Sequence, residues 1–152
     1  MIDIQNIVNE TILLLKNNAM SKNIRLIGEI KENMSVYADS DMITTVIRNL
    51  LSNSIKYTPD GGNITISATD KGNILEISIS DTGVGIKPED LEKLFRIDVK
   101  HSTPGTAKEQ CTGLGLNLCK EFVGKNNGKI GVESTVGKGS RFYFTVPKSI
   151  LI

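Results

Sequence analysis

Residues 49–57 read NLLSNSIKY. Asn49, Asn53 and Lys56 recur at i, i+4 and i+7, so on an α-helix, at about 100° per residue, they share one narrow sector. Ile43, Ile47, Leu50, Leu51 and Ser54 fall on roughly the opposite side. A helix patterned this way packs on a sheet with one face and presents two carboxamides and an ammonium with the other. A carboxamide oxygen is a hard, neutral ligand suited to Mg²⁺, which takes its other oxygens from water and phosphate. An ammonium beside it neutralises phosphate charge. The plain alternative is a solvated polar face, and this triplet alone does not choose between them.

Asp39 or Ser40 can cap this helix, which runs to Tyr57. The stretch Thr58-Pro59-Asp60-Gly61-Gly62 stops it, because proline and glycine continue a helix only at a cost. Beyond it, residues 63–69 alternate through Ile64, Ile66 and Ala68, and residues 74–80 through Ile77 and Ile79. These are expected strands joined by the hairpin turn Asp70-Lys71-Gly72-Asn73. On the N-terminal side, residues 3–19 carry Ile4, Ile7, Val8, Ile12, Leu14 and Leu15 at helical spacing, a helix expected to bury one stripe. Ile24, Leu26 and Ile30, then Ser35-Val36-Tyr37-Ala38, read as two short strands with a turn at Asn33-Met34.

On the C-terminal side, Asp81-Thr82-Gly83-Val84-Gly85-Ile86 is a glycine-rich loop directly after a strand. Glycine lets backbone approach a ligand closely, and a carboxylate at a strand end can accept a hydrogen bond from an exocyclic amine such as that of adenine. The loop is neither a dinucleotide-binding fingerprint nor a P-loop, since neither spacing occurs. Pro88-Glu89-Asp90 opens a short helix reaching about Phe95. Residues 96–112 show no periodicity and read as a long mobile loop of the kind that forms lids. A glycine pair in Thr112-Gly113-Leu114-Gly115-Leu116 then opens a helix to about Asn127, with Leu116, Leu118, Cys119, Phe122 and Val123 as its core side. Free backbone amides and the helix dipole favour phosphate at such a start. Residues 129–133 and 140–146 form two last strands around the turn Val136-Gly137-Lys138-Gly139. About six strands in hairpin pairs and three main helices predict an α+β, two-layer α/β sandwich with a mixed, mostly antiparallel sheet.

The 152 residues suit one domain spanning 1–152, with 39% hydrophobic and 23% charged residues. A formal charge of +1 implies no general affinity for nucleic acid or anionic membrane, so any anion site must be built locally. Cys111 and Cys119, if on one helix, lie about 12 Å apart, too far for a disulfide. They read as loop or core residues in a reducing compartment. No apolar run approaches the ~20 residues of a membrane span, so the chain is expected to be cytoplasmic even if a longer parent is anchored. His101 has no acid–base partner nearby in sequence and reads as solvent-facing, while Lys100 and Lys108 could reach phosphate from the lid.

Taken in order, NLLSNSIKY (49–57), DTGVGI (81–86), Leu94-Phe95-Arg96, TGLGL (112–116) and GKGSRF (137–142) resemble the N box and the glycine and phenylalanine boxes of the ATP-binding catalytic domain of sensor histidine kinases. The likeness runs from about Asp39 to Pro147, and the family belongs to a larger group that includes gyrase-type ATPases. It implies a Bergerat-type sandwich holding ATP under a flexible lid. By position, Asn53 would ligate Mg²⁺, and Asn49 and Lys56 would meet the metal–phosphate group and carry the catalytic role. Tyr57 would lie near the nucleotide. Asp81 would bind the adenine amine, with Gly83, Gly85 and Ile86 shaping the pocket floor. Gly113, Leu114, Gly115 and Leu116 would offer backbone to phosphate, and Ser140 would support Asp81 through water.

The resemblance further implies transfer of the γ-phosphate to a histidine on a dimerisation domain, and from there to a response regulator receiver domain. Asn49 stands where gyrase-like ATPases place a general-base Glu, which favours the kinase branch because no carboxylate is set to activate water. The family's acceptor His-Glu/Asp motif does not occur in this sequence, so the chain is expected to be a monomeric fragment that does not usefully autophosphorylate alone. Cys111 stands where a lid-hinge Gly is expected. A degenerate nucleotide-binding or partner-docking module and an anti-sigma-type serine kinase of the same superfamily are the alternative readings.

Overall fold

The computed structural model describes residues 2–31, 34–91 and 115–148. Its central helix, α2 (Ser40–Tyr57), starts where the cap was expected: Asp39 is the N-cap, and its Oδ1 accepts from Met42 N at 2.9 Å. Ile43, Ile47, Leu50, Leu51 and Ser54 all face the interior, as their spacing requires. Burying one such aliphatic side chain is worth about 1.5–3 kcal/mol, so this stripe dominates the helix's docking.

The other elements are β1 (Ile2–Asp3), α1 (Ile4–Met20), β2 (Arg25–Glu29), β3 (Ser35–Val36), β4 (Asn63–Asp70), β5 (Ile74–Asp81), α3 (Pro88–Leu91), α4 (Gly115–Lys125), β6 (Ile130–Thr135) and β7 (Gly139–Pro147). A five-stranded sheet runs β2-β4-β5-β7-β6, with β2 parallel to β4 and the other pairs antiparallel. The register stacks apolar residues in rows across the central strands. Ile66 stands opposite Ile79 and that opposite Phe142, while Ala68, Ile77 and Phe144 form the next row. Helices α1, α2 and α4 cover this face, giving the two-layer sandwich.

Helix α4 ends as its Asn-Gly sequence suggests. Asn127 takes φ 63°, Asn127 N bonds Gly124 O at 3.0 Å, and Gly128 N bonds Val123 O at 2.9 Å, a Schellman closure. The preceding Asn126 reaches back to α2, accepting from Asp39 N at 2.8 Å.

Three expectations change. Residues 24–30 and 35–38 do not form a hairpin: β2 pairs with β4 across the α2 crossover, and β3 pairs with β1. The backbone of the second segment is consumed elsewhere, with Met34 O accepting from Ile4 N and Tyr37 N donating to Pro147 O. The strand count among the described residues is therefore seven, not six. Leu14 is not in the buried stripe; it is 63% exposed and Leu13 is 73% exposed. Four consecutive apolar residues step round the helix at about 100° each, so only part of the run can face inward.

On the opposite sheet face, Glu76 is gripped by Lys71 Nζ at 2.9 Å and by the Arg141 guanidinium, which also lies 4.7 Å over the Tyr143 ring. The Lys71 hydrogen bond, then the Arg141 guanidinium, hold the Glu76 carboxyl below the usual carboxylate range against the opposing effect of burial. A depressed native pKa stabilises the fold above the unfolded pKa, and that contribution vanishes as pH falls through the native one. Glu76→Gln should therefore cost about 1 kcal/mol at pH 7, discounted for nearby solvent. The gap from wild type in urea midpoints should close below about pH 4.

Candidate nucleotide site at the end of the central helix

A helix leaves its last four carbonyls without intrahelical partners. In α2 each finds one outside the helical ladder. Ser54 O accepts from Thr58 Oγ1 at 2.6 Å, and Tyr57 O from Val84 N at 3.1 Å. Ile55 O and Lys56 O accept from Lys22 Nζ at 2.9 and 3.1 Å. The bond to Val84 ties the end of the helix to the 81–86 loop. Gly83 makes this approach possible, since a Cβ there would sit 2.5 Å from Tyr57 O.

The loop is pinned at three further points. Thr82 N donates to Asn63 O, and Thr82 Oγ1 accepts from Asn63 N, which fastens it to the start of β4. Gly137 N donates to Val84 O, and Ile86 N to Ser134 Oγ at 2.7 Å, which fasten it to β6 and the turn after it. Gly85 has φ 77°, and a Cβ there would lie 2.3 Å from Thr135 O. The loop is thus a rigid floor laid across three elements.

Asp81 ends β5 opposite Ser140 in register. Its Oδ1 accepts from Gly83 N at 2.9 Å and from Ser140 N at 3.1 Å. Burial nevertheless raises the carboxyl's pKa, outweighing these two amides and the nearby Ser54 hydroxyl. Ser54 Oγ is buried close enough to ease the carboxylate's charge, yet makes no hydrogen bond of ordinary length. With Oδ1 taken by the amides, no described residue donates to Oδ2 at ordinary hydrogen-bond length. Ser140 supports Asp81 directly through its backbone amide, while its hydroxyl is engaged with Ser134 Oγ at 2.7 Å.

Asn49, Asn53, Lys56 and Tyr57 are half-buried along the last turns of α2. The Asn49 side chain lies beside the Cys119 thiol on α4, so helix α4, opened by Gly115, runs next to the polar stripe. Cys119 is fully buried, and desolvation pushes its thiol up to about 12, the state of an inert core cysteine. Leu116 packs half-buried against the core. Gly113, Leu114, residues 96–112, expected as a lid and including His101, Lys100 and Lys108, Leu94-Phe95-Arg96 and Cys111 lie outside the described residues.

Residues 38–150 match the family profile described as histidine kinase-, DNA gyrase B- and HSP90-like ATPase. The chain belongs to this family. Relatives within it include sensor kinases. The adaptive-response sensory kinase SasA of Synechococcus elongatus is 41% identical over 129 residues, covering 84% of this chain and 33% of that protein. The sensor histidine kinase WalK of Bacillus subtilis is 40% identical over 114 residues, covering 74% of this chain and 19% of that protein. The catalytic domain of histidine kinase ThkA superposes with a TM-score of 0.84 at 30% identity, over 97% of this chain and 95% of that one. The chain is therefore an ATP-binding catalytic domain of the histidine kinase type, and it spans a fifth to a third of the length of these two curated relatives.

Several contacts around the candidate site are not signalled by the motifs as read along the chain. Ser134, which bridges Ile86, Gly139 and Ser140, becomes visible only through the β6–β7 register that sets it opposite Ser140. Gly139, with φ 129°, lies against Asp81, where a Cβ would be 2.0 Å from Asp81 O. Lys22 has no sequence signal linking it to residues more than thirty positions away. Among the described residues no helix is long and apolar enough to cross a membrane.

Proposed function

We propose that this domain binds Mg-ATP between α2, α4 and the 81–86 loop, and that it phosphorylates a histidine carried on a separate dimerisation domain. The supporting observation is Asp81: a carboxylate at the end of a central strand, one oxygen locked by two backbone amides and the other without an ordinary hydrogen bond from any described residue. That oxygen would accept from the adenine exocyclic amine, and the rigid loop with Gly83, Gly85 and Ile86 would form the floor beneath the ring. Asn53 would supply a neutral oxygen to Mg²⁺, and Asn49 and Lys56 would touch the phosphates. Tyr57 would flank the nucleotide, and the start of α4 at Gly113, Leu114, Gly115 and Leu116 would receive the phosphate oxygens. Among the described residues no group of three His, Cys, Asp or Glu side chains could hold a metal, so this donor chemistry suits an ion that arrives with the triphosphate.

Asn53 would help hold the ion, whose chemistry there would be neutralisation of charge developing on the transferred phosphate. The chain's own part is then positioning and charge neutralisation by Asn49, Asn53 and Lys56. With a carboxamide at Asn49, no carboxylate stands there to activate water, which favours transfer to an acceptor side chain over hydrolysis. ThkA has been crystallised with the response regulator TrrA. A receiver domain of that kind is the proposed final recipient, in the cytoplasm.

Titration calorimetry should show ATP binding that strengthens with Mg²⁺. Asn53→Ala should bind ATP about equally with and without the ion, losing about tenfold in the Mg²⁺ condition. A wild-type domain with no affinity for any adenine nucleotide would overturn the proposal.

A further inference from the structure

Lys22 follows α1 in a tight turn and is only 6% exposed despite its charge. Lys and Arg are almost never this buried unless their charge is engaged. Its ammonium grips Ile55 O and Lys56 O, the acceptors that the end of a helix leaves free and where a cation is favoured. The Lys22 backbone joins the same junction, since Lys22 O accepts from Gly61 N at 3.0 Å just beyond the helix stop. Val84 N holds Tyr57 O next to the carbonyls that Lys22 holds. The final turn of α2 is therefore clamped between a buried ammonium and the glycine loop. Lys56 and Tyr57, the side chains assigned above to phosphate and nucleotide, both issue from that turn.

We propose that Lys22 is a positioning residue for the nucleotide, acting through the last turn of α2 to set where Lys56 and Tyr57 meet their ligand. This rests on the proposed Mg-ATP site. Its charge and its donors are both used: an apolar chain of similar length would leave two carbonyls in a buried junction to find new partners, and the turn would shift to supply them. Arginine keeps charge and donors with a different geometry, so it should restore most of the function.

The test compares the whole chain as wild type, Lys22→Met, Lys22→Gln, Lys22→Arg and Leu15→Ala. Leu15 is a buried residue on α1, so its truncation lowers stability without touching the clamp. Mg-ATP affinity is measured well below every unfolding midpoint, together with hydrogen exchange at the Val84 amide relative to the Ile77 amide in the core. Lys22→Met should weaken Mg-ATP binding about tenfold and speed Val84 exchange relative to Ile77. Lys22→Gln, which keeps a donor without the charge, should fall between Met and wild type and carries the test if Lys22→Met does not fold. Lys22→Arg should lie within about threefold of wild type, and Leu15→Ala should keep wild-type affinity. Equal affinity of Lys22→Met, or of Lys22→Gln in its place, with Leu15→Ala would reduce Lys22 to a stabilising residue and overturn the proposal. A wild type that binds no adenine nucleotide would instead bring down the reading of the site, and this proposal with it.

Discussion

Asp81→Asn is expected to remove adenine-nucleotide binding, by about 100-fold or more, while leaving the domain at least as stable as wild type at pH 7. The two effects separate because the same carboxylate is costly to the fold and needed by the ligand. Burial is the largest influence on its pKa and raises it, despite the amides of Gly83 and Ser140 and the Ser54 hydroxyl. A carboxyl with a native pKa above its unfolded value binds its proton more tightly when folded, so stability falls as pH rises through the interval between the two. Above that interval wild type bears the cost in full. Asparagine carries no charge, and its carbonyl oxygen can still accept from Gly83 N and Ser140 N.

Thermal melts should therefore give the variant an equal or higher midpoint at pH 7, with the advantage gone below the unfolded carboxyl pKa. Wild-type ATP affinity should in turn drop on acidification through the raised native pKa, as the acceptor oxygen is protonated. An Asp81→Asn domain that keeps its affinity would remove the adenine contact from the assignment. One that melts well below wild type at pH 7 would show that the carboxylate stabilises the fold.

Gly85→Ala should be the most damaging of the loop substitutions, costing about 3 kcal/mol or more, with Gly72→Ala near 1 kcal/mol as its control. Both glycines sit at positive φ, 77° and 93°, so both variants meet the left-handed penalty of an L side chain. Only Gly85 meets a wall: its added Cβ would lie 2.3 Å from Thr135 O and 2.8 Å from Val136 Cα, whereas nothing lies within 4 Å at Gly72. Backbone cannot swing aside as a side-chain tip can, so the loop must lift from the β6–β7 turn. That would strain the bonds from Gly137 N to Val84 O and from Ile86 N to Ser134 Oγ. Urea denaturation should show the difference directly, and nucleotide binding should be lost in Gly85→Ala but kept in Gly72→Ala. Equal midpoints for the two variants would mean that the loop floor is softer than its geometry implies.

Much of this was legible before any coordinates. The apolar stripe from Ile43 to Ser54 places α2 on the sheet, and alternation in residues 63–69 and 74–80 sets the inward faces of β4 and β5. The Asp39 cap and the Asn-Gly stop at Asn127 mark helix ends through local hydrogen bonding alone. The pairing of residues 24–30 was not legible, because a short strand with a weak apolar pattern accepts whichever edge the crossover brings to it. Leu14 misled for a related reason: hydrophobicity says a residue can be buried, and only the docked helix says which part of an apolar run is.

What sequence alone determined about this protein is therefore local and periodic: where helices begin and stop, which face of each element is apolar, and which boxes occur in which order. Those follow from backbone sterics, capping bonds and burial, all acting within a few residues. Tertiary structure decided the rest, namely that Lys22 and Val84 close the end of α2, that Ser134 holds the Ile86 amide, and that the second amide on the carboxylate comes from Ser140. Each is a contact between residues far apart in the chain, created by sheet register and helix docking, and no pattern along the sequence encodes a partner that only folding brings within hydrogen-bond distance.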